Sequence, residues 1–145
     1  MNWTTQQISW EAGFPTIGKF INGASRNEMP FVPKRYGVEN RYGVTDLTLA
    51  IALRKLRGLG LPVARSADLM RRVDRDALEV ALHELDDGRI EAALICITLF
   101  DLDLLDQTWM GVFTSHAAAA SAISESDLVV LDLGVTIGSI IGGEM

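Results

Sequence analysis

The spacing of apolar residues predicts that the chain opens with two short helices joined by a tight turn. Thr4 and Gln7 stand three residues apart, which is the signature of a capping box at a helix start. A first helix is expected over about Thr5 to Ala12. Gly13 tolerates positive φ and suits a helix end, and Pro15 suits the first position of a second helix. The pattern is that of a helix-turn-helix.

The second predicted helix has one apolar face and one polar face. Phe14, Ile17 and Ile21 fall at positions i, i+3 and i+7, so this face is expected to turn inward. The dipeptide Asn22-Gly23 predicts the end of the helix. The outward side chains are then available to touch a ligand: Thr16, Lys19 and Asn22.

The segment from Glu28 to Gly43 has no helical period. Pro, Gly and Asn alternate with basic and aromatic residues, which predicts an irregular hairpin or wing. Its exposed cations would be Lys34, Arg35 and Arg41.

Helical spacing then returns in three segments. Thr45 is expected to cap a third helix that ends near Gly58, with Arg54, Lys55 and Arg57 favoured there by the helix dipole. Pro62 opens a fourth helix, whose core side would carry Val63, Ala67 and Met70. A fifth amphipathic helix over about Asp76 to Leu85 is followed by a stop at Gly88.

The remaining residues alternate between β-rich runs and one helical run. Strands are expected within Ala92 to Phe100, Thr108 to Phe113 and Asp127 to Val135, with an Ala-rich helix over about His116 to Ile123. The predicted fold class is therefore α+β. A small C-terminal α/β domain of about three strands, residues 76–145, follows a helical N-terminal domain, residues 1–75.

Charge is divided unequally between these two domains. Residues 1–75 contain 12 Lys and Arg against 6 Asp and Glu, a net charge of +6, whereas residues 76–145 contain 1 against 13, a net charge of −12. An isoelectric point near 4.8 for the whole chain conceals this division. A basic half joined to an acidic half favours a polyanionic partner for the N-terminal domain.

Length and composition narrow the class of protein. A chain of 145 residues with 48% hydrophobic and 22% charged residues is expected to fold into one or two small domains. The longest apolar run, Ala92 to Phe100, is half of what a membrane span needs, and the N-terminus lacks a secretory pattern, so a cytoplasmic location is predicted. The single Cys96 excludes an intrachain disulfide.

The order of motifs in the first half resembles the N-terminal winged helix of the MerR family of transcription regulators. The match consists of Arg41-Tyr42, Asp46-Leu47 and the series Leu56, Leu59-Gly60-Leu61, supported by the opening "WTTQQIS…AGF". It covers roughly Trp3 to Arg72. The second helix departs from the family's arginine-rich sequence, the fifth helix is shorter than the family's dimerising coiled coil, and the sensor cysteines are absent.

The resemblance implies a sequence-specific DNA-binding regulator that acts as a dimer. The second helix would enter the major groove, with Thr16 and Lys19 near base edges or phosphates, and the hairpin would be the wing. Lys34, Arg35 and Arg41 would contact the DNA backbone. Tyr42 would pack under the wing or donate its hydroxyl to a phosphate. The C-terminal domain would dimerise or receive a signal.

Two alternatives stay open. The winged helix could be the scaffold of an interaction adaptor whose acidic half binds a basic protein or RNA polymerase, or it could belong to a phage or mobile-element architectural factor of the excisionase or packaging type. No Ser-His-Asp order, phosphate-binding glycine loop or fixed metal-ligand spacing is present in the sequence. Neither an enzyme nor a cofactor or metal site is therefore expected.

Overall fold

The chain has an α+β fold. A computed structural model describes residues 2–26, 28–89, 94–98, 110–115, 117 and 128–132. These residues contain five helices and two three-stranded sheets, and the chain divides into two compact units, Met1–Arg72 and Val73–Met145. Within the described ranges, every helix is too short or too polar to cross a membrane.

The first unit combines four helices with a small antiparallel sheet. In chain order its elements are β1 (Trp3–Thr4), α1 (Thr5–Glu11), α2 (Ile17–Arg26), β2 (Lys34–Tyr36), β3 (Glu39–Tyr42), α3 (Val44–Gly58) and α4 (Val63–Arg71). The sheet order is β1-β3-β2, so β1 adds a third strand to the hairpin formed by β2 and β3. The sequence pattern did not predict β1.

Helix α1 begins and ends as its sequence predicts. Thr4 Oγ1 accepts the backbone N–H of Gln7 at 3.2 Å, and Gln7 Oε1 accepts the backbone N–H of Thr4 at 2.9 Å, which completes the capping box. At the other end Gly13 has φ +86°, and the N–H of Phe14 donates to the carbonyl of Ser9 at 2.9 Å. This Schellman motif turns the chain sharply into α2.

Helix α2 buries a different face from the one its sequence predicts. Phe20 is only 5% exposed, whereas Ile17 is 38% and Ile21 56% exposed. The predicted face was wrong because Phe14 precedes the helix, which begins only at Ile17, and a helical period cannot be counted across the non-helical residues between them. The side chain of Phe14 is nevertheless buried.

The same helix continues past the predicted stop at Asn22-Gly23 and ends at Arg26. Gly23 faces Phe14 closely enough that an added Cβ would lie 3.1 Å from Phe14 Cε1. The glycine therefore allows close packing inside the helix and does not end it.

Helix α3 is the buried centre of the first unit. All nine residues from Thr45 to Leu53 are buried, as is Leu56. The prediction that Thr45 caps this helix was wrong, because the helix begins earlier with Gly43 as N-cap and Thr45 lies within the first turn. Helix α4 has Pro62 as N-cap, packs against α3, and buries Ala67 and Met70 as predicted, while Val63 is half-buried.

The segment between α2 and the hairpin is held by polar contacts from α3 and α4. Asp46, which has no exposed surface, accepts the backbone N–H of Val32 through Oδ1 at 3.0 Å. Arg71 donates to the backbone carbonyl of Glu28 and is also paired with Asp68 at 2.8 Å. Two helices of the core thereby fix the chain that connects α2 to the hairpin.

The second unit contains α5 (Arg75–Asp86), β4 (Leu94–Thr98), β5 (Met110–Phe113) and β6 (Leu128–Asp132). The sheet is antiparallel with β4 in the centre, in the order β5-β4-β6, and α5 packs against β5. The side chain of Asp74 caps α5 by accepting the N–H of Ala77 at 3.1 Å, and the helix stops before Gly88 as predicted. The Ala-rich helix predicted from His116 to Ile123 lies, apart from Ala117, outside the described residues.

Candidate nucleic-acid interface

The hairpin of β2 and β3 presents its cations on two faces. Lys34 lies directly opposite Arg41, and Arg35 lies opposite Asn40. Opposed residues of an antiparallel pair share a face, and neighbours along a strand alternate, so Lys34 and Arg41 point to one side and Arg35 to the other. The two-residue turn has Gly37 at φ +64° in its first position, as a type II′ turn requires.

The cationic face of the hairpin is only partly neutralised. Arg41 Nη2 lies 3.0 Å from Glu39 Oε2, and both side chains are accessible to solvent. Exposed ion pairs contribute about 0–1 kcal/mol, so Glu39 is a weak competitor for a guanidinium that also faces Lys34. Like charges placed opposite each other on a sheet repel, and an anion between them would relieve that repulsion.

Tyr42 occupies the core side of the same strand. Tyr42 is buried and lies opposite Trp3 of β1 in the sheet. Its ring meets the ring of Phe31 edge to face, with centroids 6.2 Å apart. Of the two roles that the resemblance implies for Tyr42, this placement supports packing under the hairpin. Arg41, its neighbour along the strand, faces the opposite way.

The start of α2 presents Thr16 and Lys19. Thr16 Oγ1 accepts the backbone N–H of Lys19 at 3.1 Å, so the threonine side chain serves as a cap in the first turn, and both residues are exposed. The hydroxyl oxygen accepts within the chain, and its O–H can still donate outward. Lys19 shares the helix with Arg26, and α2 contains no Asp or Glu.

A row of aromatic rings connects α2 to the hairpin. Phe14 meets Phe20 with centroids 5.5 Å apart, Phe20 meets Phe31 at 6.0 Å, and Phe31 meets Tyr42 at 6.2 Å. Each edge-to-face or offset pair of this kind adds about 0.5–1.5 kcal/mol beyond its buried area. The elements that carry Lys19 and Arg41 are therefore mounted on one continuous aromatic support.

Arg57 holds the other end of this row. Its Nη1 donates to the carbonyls of Ala12 at 3.3 Å and Gly13 at 3.1 Å, and its guanidinium carbon lies 4.8 Å from the centre of the Phe14 ring. Arg54 pairs with Glu11 at 3.4 Å. Together these contacts fasten the turn between α1 and α2 to the C-terminal end of α3.

Sequence reasoning missed the residues that position this surface. Phe20 and Phe31 are not distinguished by any motif, and Arg57 was assigned to the helix dipole rather than to carbonyls 44 and 45 residues earlier in the chain. The signal available in the sequence was the chemistry of the side chains. Aromatic rings such as those of Phe20 and Phe31 can stack on one another, and an arginine such as Arg57 can stack on a ring and donate to the free carbonyls at the end of a helix.

Comparison with known proteins finds no family model that matches the chain and no similar curated protein. Within the described part of the chain, no group of three or more His, Cys, Asp and Glu side chains is arranged to hold a metal ion.

Proposed function

We propose that this protein is a sequence-specific DNA-binding transcription regulator, non-enzymatic and dimeric, whose first unit is a winged helix of the MerR type. Helix α2 is the recognition helix, and the β2–β3 hairpin is the wing. The acidic second unit provides the dimer contact or receives a signal.

The observation that carries this proposal is the facing pair Lys34 and Arg41 on an exposed hairpin. Two cations held opposite each other match the regular negative charge of a nucleic-acid backbone. Lys19 and Arg26 add two cations on α2, which carries no acidic residue. A B-DNA major groove of about 12 Å accepts a single helix, with phosphates on either side for the cations.

The packing of the first unit supports the same assignment. A wing and a probe helix must keep a fixed separation to meet a groove and its flanking phosphates at once. Phe20, Phe31 and Tyr42 connect these two elements, and Asp46 holds the chain between them.

The adaptor alternative is favoured by a different observation. Trp10 on α1 is 67% exposed, and large apolar side chains exposed to water often mark protein contacts. A protein partner, such as RNA polymerase, would then dock on α1. Copurification of a stable heteromeric complex, lost in Trp10→Ala, would favour this function over DNA binding.

Binding to fragments of genomic DNA at several salt concentrations tests the proposal. We expect saturable binding, and the logarithm of the association constant should fall linearly with the logarithm of the salt concentration. Arg41→Ala and Lys34→Ala should each weaken binding to all sequences alike. Each should also reduce the slope of the logarithm of the association constant against the logarithm of the salt concentration by about 0.9.

Lys55→Ala is the matched control, because Lys55 is an exposed cation of the same unit on α3. It should leave both the affinity and the salt dependence unchanged. Absence of binding, or binding that does not respond to salt, contradicts the proposal.

A further inference from the structure

The exposed surface of α2 is divided lengthwise into three strips. At about 100° per residue, Gly18 and Asn22 lie farthest from the buried Phe20. Ile17 and Ile21 flank this outer strip on one side, and Lys19 and Arg26 flank it on the other.

The apolar strip is unusual for a water-facing surface. Ile17 and Ile21 are neighbours on consecutive turns, and the exposed Ala24 continues the strip by one more turn. Single exposed apolar residues need no explanation, but two large β-branched side chains side by side on a helix retain a large apolar area in water. An occupant that covers them would gain free energy from their burial.

The charges around the strip restrict what that occupant is. Helix α2 carries Lys19 and Arg26 without any acidic residue, and the hairpin tied to it carries Lys34, Arg35 and Arg41 against Glu39. A partner must therefore be negatively charged where it meets these cations and offer apolar groups where it meets the two isoleucines on the opposite flank. The DNA major groove has this arrangement, because phosphates line its edges and each thymine places a C5-methyl group on its floor.

We infer, on the basis of the proposed function, that α2 reads A·T base pairs, with Ile17 and Ile21 packed against thymine methyl groups and Asn22 hydrogen-bonded to the adenine partner. Adenine presents an N7 acceptor and an N6 donor that an asparagine amide matches in a bidentate contact. Asn22 lies beside Ile21 on the outer surface, so the two side chains reach neighbouring positions on the groove floor. Lys19 and Arg26, on the far flank, then meet phosphates.

The small residues of α2 permit the close approach that this contact requires. An added Cβ at Gly18 would find only Thr16 Oγ1, at 3.8 Å, so the helix backbone there is open on its outer side. A groove floor can then come within van der Waals distance of the isoleucine side chains on the flank.

Duplexes that differ only in the thymine methyl group test the inference directly. A duplex selected by the wild-type protein from a random pool is synthesised twice, once with thymidine and once with deoxyuridine throughout. We expect the selected sequences to be rich in A·T pairs and the deoxyuridine duplex to bind about fourfold more weakly for each methyl group that the isoleucines cover.

Three variants assign the effect to α2. The double variant Ile17→Ala with Ile21→Ala should bind the two duplexes equally, and Asn22→Ala should lose the preference for adenine. Lys19→Ala, the matched control on the cationic flank, should weaken binding to both duplexes by the same factor. Thermal unfolding confirms that each variant is folded.

The outcomes separate this inference from the function on which it rests. Equal, salt-dependent binding of both duplexes by the wild-type protein overturns the thymine contact and leaves DNA binding intact. Enrichment of no sequence and binding of no duplex overturn both. If the double isoleucine variant changes the sedimentation coefficient from dimer to monomer while still distinguishing the duplexes, a second copy of the chain covers the strip and the inference is wrong.

Discussion

Lys34 and Arg41 are direct partners across the β2–β3 hairpin, so two positive side chains stand side by side on one face of a thin ribbon. Opposed like charges destabilise an antiparallel pair, and Glu39 offsets the repulsion only through an exposed ion pair with Arg41. The hairpin therefore has a lower stability than an alternating charge pattern would give it. Under the proposed function, a bound anion would relieve this repulsion.

Reversing one of these charges should stabilise the free protein. Lys34→Glu places an acid opposite Arg41, and we expect a gain of about 0.2–1 kcal/mol in the free energy of unfolding at low salt, shrinking as salt is added. Urea denaturation at two ionic strengths measures it. Arg35→Glu is the control, because its partner Asn40 is neutral and it gives up only the exposed bond from Arg35 Nε to the Gly37 carbonyl, so no gain is expected. An equal gain in both variants would show that net charge, and not the facing pair, is responsible.

Removing the guanidinium of Arg57 should loosen the turn between α1 and α2. Arg57→Ala loses the bonds to the carbonyls of Ala12 and Gly13 and the stacking on Phe14, and we expect a cost of about 2 kcal/mol. Arg57→Lys should recover only part of this, since an ammonium cannot stack and reach both carbonyls in a plane. Full recovery by lysine would mean that charge alone matters. Chemical denaturation measures the free energy of unfolding of the wild type and of the two variants.

The contact between Asp46 and Val32 should depend on the acceptor atom. Asp46→Ala removes a fully buried acceptor from the part-buried hydrogen bond with the Val32 N–H and is expected to cost about 1–3 kcal/mol. Asp46→Asn keeps an Oδ1 acceptor and should lie between the alanine variant and the wild type. Asp68→Ala, which breaks a solvent-accessible pair with Arg71, should cost no more than about 1 kcal/mol. An equal loss in Asp46→Ala and Asp68→Ala would contradict the role of Asp46.

The orientation of α2 predicts very different losses of stability when two adjacent residues, Phe20 and Ile21, are each replaced by alanine. Phe20→Ala removes a buried ring from the aromatic row and should cost about 3–5 kcal/mol, whereas Ile21→Ala on the exposed face should stay within about 0.5 kcal/mol of the wild type. Thermal and urea unfolding of both variants measure the difference. A larger loss for Ile21→Ala than for Phe20→Ala would mean that the face predicted from the apolar spacing is the buried one after all.

Two glycines near the turn between α1 and α2 should change the free energy of unfolding in opposite directions when each is replaced by alanine. Gly13→Ala is strained by its positive φ, and its Cβ would lie 3.2 Å from Arg54 Cγ, so a loss of about 1–3 kcal/mol is expected. Gly18→Ala lies in an open helical position and should gain about 0.5–1 kcal/mol. If Gly18→Ala also weakens DNA binding while raising stability, the outer side of α2 makes the contact. Differential scanning calorimetry and the binding titration give both quantities.

Local chemistry was sufficient to predict some of these features and insufficient for others. The capping box of Thr4 and Gln7 and the turn at Gly13 depend on residues three to five positions apart, so their sequence determines them. The pairing of Trp3 with Tyr42 depends on contacts between residues distant in sequence, and two-residue strands carry no periodic signal. The cationic candidates of the hairpin were found from composition, but their facing arrangement required the register.

The buried face of α2 shows why periodicity failed at the candidate site. Ile17 and Ile21 have the spacing of a core face, yet Phe20 fills the space against Phe14 and Phe31. Which of two apolar faces turns inward is decided by the shape of the neighbouring side chains, and a single helix does not contain that information.

The contrast between α3, buried along nine consecutive residues, and α2, which buries little besides Phe20, has a consequence for how such a protein diversifies. Substitutions in α3 disturb the whole unit, whereas nearly every position of α2 can be exchanged while Phe20 and Gly23 keep the helix seated. If α2 is the recognition helix, as proposed, a library randomised at its exposed positions would yield many folded members with altered target preference. The fold separates the part that must be inherited unchanged from the part that is free to evolve.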